Sequence, residues 1–236
     1  MKLTIDTAET LAEKFRVGLG INSTEPVNMK SIIRQLNIQT VYRNLSENLH
    51  GISIKSASGE IKFILVNSAN TRGRQHFTIA HELYHLFHDE DPKPHFTSAD
   101  PAEKSANLFA AALLMPRKAL IEQIPDEELM SKQISFETSL TVGQLYGVSN
   151  STLAIRLKDL KLISNECKEK LFNMPVRREA SLRGMDLSLY SAGNKNLIIS
   201  DFGIKARNLY ETGIISEGHY MELLNLIGYG ENTDCP

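Results

Sequence analysis

The sequence predicts an α+β fold: a core with a small, largely antiparallel sheet and helices, then a helical helix-turn-helix segment, then a small α/β C-terminal region. Three observations carry this. Apolar residues recur at three- and four-residue spacing over much of the chain, the mark of amphipathic helices. Between residues 38 and 67 the texture changes to β-branched and aromatic runs separated by polar breaks. Strand-like texture then returns at Asn196-Leu197-Ile198-Ile199-Ser200.

In chain order, Ala8, Leu11, Ala12 and Phe15 form the stripe of a helix over 7–17, and a second short helix is expected over 26–36. The runs at 38–45, 50–56 and 61–67 read as strands, with Ser56-Ala57-Ser58-Gly59-Glu60 as one break. A helix follows over 74–88, then a polar loop containing Pro92 and Pro94. Residues 101–115 form the next helix, which must stop or reset at Pro116 because proline lacks the backbone N–H. Residues 137–162 read as helix, a tight turn at Gly147-Val148-Ser149, and helix. Two further helices flank Gly213. The expected units are 1–125, 126–165 and 166–236.

The chain has 236 residues, 42% hydrophobic, 23% charged and 7% aromatic, which is the range of a folded globular protein. With 26 Lys plus Arg against 28 Asp plus Glu, the net charge of -2 gives no general attraction to nucleic acid or to an anionic membrane. Asp6, Glu9, Glu13 and Lys14 interrupt the apolar positions at the start, against a signal-peptide core or a membrane span. The expected compartment is the cytoplasm, where Cys167 and Cys235 would stay reduced bystanders.

Chemistry concentrates at His81-Glu82-Leu83-Tyr84-His85, an HExxH pattern. At about 100° per residue the two histidines fall about 40° apart on one helix face and can grip one ion. Ile79, Ala80, Leu83, Leu86 and Phe87 gather on the other face, so the histidines look into a cleft. A catalytic zinc needs a third protein ligand. Glu103 on the next helix is a candidate, and small Ala106, Ala110 and Ala111 would let the two helices approach. Asp100-Pro101-Ala102-Glu103 is equally a helix start, with Asp as N-cap and Glu at the third position. Other nearby donors are His76, His88, His95, Asp89, Glu90 and Asp91, and Asn107 could orient a ligand. Mn2+ or another divalent ion suits such donors as well as Zn2+.

The helix-turn-helix allows two uses. Its second helix would offer Asn150, Ser151, Thr152 and Arg156 to DNA, or Leu145, Val148, Leu153 and Leu157 simply pack a trihelical unit. The first use supports an alternative reading, a DNA- or protein-binding regulator with a vestigial metal site.

The stretch HFTIAHELYHLFH over 76–88, followed by EKSANLFAAALLMP over 103–116, resembles the ImmA/IrrE family of metallo-endopeptidases. SLTVGQLYGVSNSTLAIRLKDLKLI over 139–163 resembles the family's helix-turn-helix. The resemblance implies a gluzincin-like zinc endopeptidase with His81, His85 and Glu103 as metal ligands and Glu82 as general base. It implies a protein substrate, a helix-turn-helix repressor or antitoxin, whose cleavage switches on stress or mobile-element genes. A toxin in a toxin-antitoxin pair is the family's other implied role. His76 stands where the family often has Arg, and Tyr84 where it usually has Gly. The donor to the developing oxyanion is unassigned, with Tyr84, His76 and His95 as conceivable groups.

Overall fold

The structure, a computed structural model, describes residues 2–89 and 100–228. Helix α1 (Ile5–Gly18) opens on a capping box between Thr4 and Thr7 and buries Ala8 and Ala12. Helix α2 (Met29–Gln35) buries Met29, Ile32 and Ile33. Strands β1 (Gln39–Arg43), β2 (Gly51–Lys55) and β3 (Lys62–Asn67) follow in the stretch where β texture predicts them.

Strand β4 (Ile198–Ile199) completes a sheet of order β2-β3-β1-β4. The outer pairings, β2 with β3 and β1 with β4, are antiparallel. The central pairing of β1 with β3 is parallel, so the sheet is mixed. The hairpin places β2 outside β3, which leaves the other side of β3 to β1. Thr40, Tyr42, Ile64 and Val66 point to the helical side and are buried, as the two-residue period requires.

Helix α3 (Arg72–Phe87) packs beneath β2 and β3, and α4 (Pro101–Leu114) lies against both α3 and α1. Pro116 resets the chain as expected: it N-caps α5 (Arg117–Gln123), and α6 (Asp126–Ser131) follows. The stretch read from sequence as a helix-turn-helix forms α7 (Phe136–Leu145) and α8 (Asn150–Asp159), with Gly147 at φ +64 in the turn between them. Beyond it come α9 (Asn165–Phe172), α10 (Val176–Leu182), a 3-10 turn (Ser188–Tyr190), and the helix pair α11 (Phe202–Glu211) and α12 (Glu217–Leu226) around Gly213.

One buried apolar cluster runs from Leu3 through the sheet, α3 and α4 to Val148, Leu153 and Leu157, and on to Leu171 and Ile199. No described helix is long and apolar enough to cross a membrane.

Candidate metal centre

The first turn of α3 is fixed from outside the helix. Its N-cap residue Thr71 makes no side-chain cap bond, while the Arg72 N–H donates to the Ser191 carbonyl at 2.9 Å. Gln75 is fully buried and donates from Nε2 to the carbonyls of Ser68, Asn70 and Gly193, and its Oε1 accepts from Asn194 Nδ2. Gly73 leaves no room for a side chain, because a Cβ there would sit 2.9 Å from the Ser149 nitrogen. One end of the helix is thereby held by the helix-turn-helix and by the C-terminal segment.

On the helix so held, Ile79, Ala80 and Leu83 are fully buried, Leu86 is buried, and Phe87 packs half-buried on Phe15. His81 and His85 face the other way, with ring centroids 4.9 Å apart. Ala106 and Ala110 of α4 are fully buried, and Glu103 at the start of that helix reaches across to α3. Glu103 Oε2 lies 3.2 Å from His81 Nε2, and Oε1 lies 3.2 Å from His85 Nε2. The two Nε2 atoms are 3.1 Å apart. Asp100 caps α4 by accepting from the Ala102 N–H, while the Glu103 carboxylate in the same first turn is turned to the histidines.

The protons on the imidazoles can be deduced. His81 Nδ1 is 3.0 Å from Asn107 Oδ1, and His85 Nδ1 is 2.9 Å from Asp89 Oδ2. Both oxygens only accept, so each Nδ1 carries the hydrogen, and a ring in its neutral form turns a lone pair at Nε2 toward its neighbours. Two lone pairs and a carboxylate facing one another repel unless a cation lies between them. A tetrahedral zinc at about 2.0–2.1 Å from its ligands sets them roughly 3.3 Å apart, close to the spacing found here. Together His81, His85 and Glu103 are the group, among the described residues, able to hold a metal ion.

With no ion, protons take that place. Burial alone would lower the pKa of His85, but hydrogen bonds to Glu103 and Asp89 and the charges of Glu82 and Glu103 raise it to about 8. Burial likewise opposes ionisation of Glu103, yet the bonds and charges of His81 and His85 hold it well below the usual carboxylate range.

Glu82 is 7% exposed on α3. It sits against the start of β2, where a Cβ built on Gly51 would collide with Thr78 Cγ2 and lie 3.5 Å from Glu82 Oε1. The backbone bonds from Asn67 to His50 and from Ser56 to Ile61 set the alternation of the β2–β3 ladder. The N–H and C=O groups of Gly51, Ser53 and Lys55 therefore point away from β3, along the outer edge of the sheet.

The other sequence candidates separate. Asp89 supports His85 and does not join the ligand group, a role its position four residues on would have allowed from sequence. His88 packs its ring among Phe15, Tyr84 and Phe109. His76 Nδ1 bonds to the Gly147 carbonyl at 3.0 Å. Glu90, Asp91, His95 and Cys235 lie outside the described residues. The helix-turn-helix residues need correction. Asn150 is buried between Ser139 and the Leu171 carbonyl, and Arg156, 1% exposed, bonds to Glu9 and the Met115 carbonyl. Neither is offered to a groove, since both are used to join helices; Ser151 and Thr152 remain half-buried. A hollow of about 390 Å³ beside Glu9, Glu13, Arg16 and Lys118 shares no residue with the metal group.

A peptidase family model described as the IrrE N-terminal-like domain matches residues 33–158, just over half of the chain. No curated protein matches. Among solved structures, a Mycobacterium tuberculosis transcriptional regulator is similar at 17% identity and a TM-score of 0.43. The match covers 64% of this chain and 47% of that one, so the chain spans about half the length of that regulator.

Proposed function

The chain belongs to the ImmA/IrrE metallopeptidase family, and from that premise we propose that it is a zinc-dependent, gluzincin-like endopeptidase with ligands His81, His85 and Glu103 and general base Glu82. The observation that carries this reading is the convergence of three electron-pair donors at 3.1–3.2 Å, with both imidazoles locked in the ligand tautomer. The donor set suits zinc, and Mn2+ or another divalent ion is compatible with it.

When bound, the metal supplies Lewis acidity, lowering the pKa of a water and polarising the scissile carbonyl. Asn107 and Asp89 keep the imidazoles aimed at it. Glu82 takes a proton from the attacking water as the new C–O bond forms. It then passes that proton to the leaving amine as the C–N bond breaks. The outward backbone groups of β2 offer an extended peptide a ladder beside Glu82, so the substrate is a protein segment in strand conformation. Following the family resemblance, that protein is a helix-turn-helix repressor or antitoxin.

The deciding measurement is elemental mass spectrometry of the purified protein and of His81→Ala, His85→Ala and Glu103→Ala, with and without added zinc. One zinc per chain, with affinity at least roughly tenfold weaker in each variant, is expected. A wild type that takes up no zinc sinks the reading. Unchanged affinity in Glu103→Ala would reduce that residue to a helix-start carboxylate.

A further inference from the structure

Hydrolysis by this site needs a hydrogen-bond donor for the oxygen of the attacked carbonyl, which gains charge as its π electrons move onto it. Two of the three conceivable groups named from sequence are engaged elsewhere. Tyr84 is 2% exposed and packs its ring on Phe109, and His76 is tied to the Gly147 carbonyl at the helix-turn-helix. His95 lies outside the described residues.

His50, just ahead of β2, has the required properties. It is next to Gly51, where an added Cβ would collide with Thr78 and lie 3.5 Å from Glu82 Oε1. Its backbone carbonyl accepts from the Asn67 N–H at 2.9 Å, and its ring Nδ1 lies 3.3 Å from Asn70 Nδ2. An amide nitrogen only donates, so Nδ1 accepts and the neutral ring carries its hydrogen on Nε2. The approach to His50 is equally fixed. Asn67, 1% exposed, accepts from the Leu45 N–H and donates to the carbonyls of Leu45, Ser46 and Leu49. Burial, then the nearby charges of Arg74 and His81, hold the His50 pKa below its ordinary value, which keeps the ring neutral at neutral pH. Position 51, beside Thr78 and Glu82, puts this end of β2 next to the helix that carries His81 and His85.

We propose that His50 donates its Nε2–H to the oxyanion of the attacked carbonyl, with Asn70 setting the tautomer and Asn67 the position. This rests on the peptidase reading above. A donor held before the reaction starts costs no reorganisation during it, and loss of one such donor lowers turnover by about 100- to 1,000-fold.

The test uses the full-length, zinc-loaded protein and two readouts. Nitrogen-15 NMR of the imidazoles reports the tautomer, and calorimetry reports binding of an N-phosphoryl dipeptide amide, whose tetrahedral anion mimics the oxyanion. The expected result is an Nε2–H tautomer at His50, about 100-fold weaker analogue binding in His50→Phe with zinc retained, and partial rescue in His50→Gln, whose amide can place an N–H near the same point. A hydrogen on Nδ1, or equal analogue binding by wild type and His50→Phe, overturns the proposal. A wild type that neither holds zinc nor binds the analogue overturns it by removing the peptidase reading underneath.

Discussion

Asn107 and Asp89 decide which nitrogen of each histidine is available, although neither is a proposed ligand. Replacing either by alanine frees one imidazole to rotate or change tautomer. Zinc affinity should fall about 10- to 100-fold, read by competition with a chromophoric chelator. Glu82→Gln should keep zinc and lose proteolysis, because the ligand set is intact while the base is gone. Cleavage of a cognate regulator by that variant would remove Glu82 from the mechanism. The raised pKa of His85 has a signed consequence for the metal-free protein. A folded-state value of about 8 lies above the ordinary 6.5, so the stabilisation is fully present below about 6.5 and is lost as pH rises through about 8. Urea midpoints of the metal-free protein should therefore reflect a loss of this contribution between pH 6 and 9. Zinc must displace the same proton, so its apparent affinity should climb over that window and then level.

At the scale of elements, α3 and α4 were legible because a helical stripe and an HExxH spacing are both local signals. The start of α4 was ambiguous from spacing alone, since Asp100 and Glu103 fit a cap as well as a ligand; in the fold Asp100 accepts the cap bond while Glu103 lies 3.2 Å from both histidines. The parallel β1–β3 pairing and the use of β4 were not legible, because pairing partners far apart in sequence leave no periodic trace. His50 was missed for the same reason: its partners Asn67 and Asn70 belong to the end of β3 and the turn beyond it. The inward turn of Asn150 and Arg156 was hidden because a polar residue on an amphipathic helix is expected outside. Two glycines test the close contacts between elements. Gly147 combines φ +64 with a would-be Cβ 2.8 Å from His76 Nδ1. Gly147→Ala should destabilise by about 1–2 kcal/mol from the backbone alone, with the His76 bond lost in addition. Gly51→Ala should push β2 away from Thr78 and Glu82, at about 1–3 kcal/mol of overpacking. Thermal unfolding and zinc content, measured together, separate a loss of fold from a loss of site.

Across the molecule, the helix-turn-helix is joined to the front of the chain by an ion pair between Arg156 and Glu9, with further bonds from Arg156 to the Met115 carbonyl. Removing the arginine leaves Glu9 without that partner and the Met115 carbonyl short of a donor. Arg156→Ala should cost about 3 kcal/mol, the low end for a buried pair because Glu9 is partly exposed. With one apolar cluster running from Leu3 to Ile199, circular dichroism and intrinsic tyrosine fluorescence should report coincident urea transitions. Two separate transitions would instead divide the chain near the predicted boundaries at 125 and 165. The bonds from Gln75 to Gly193 and Asn194 span 118 and 119 residues. At about 5–20 residues per second, a ribosome needs on the order of ten seconds to travel from the metal-binding helix to the segment that braces it. A newborn chain thus carries its histidines and carboxylates well before the partners of Gln75 exist, and the helix that bears them should be fully braced only once Gly193 and Asn194 have been made.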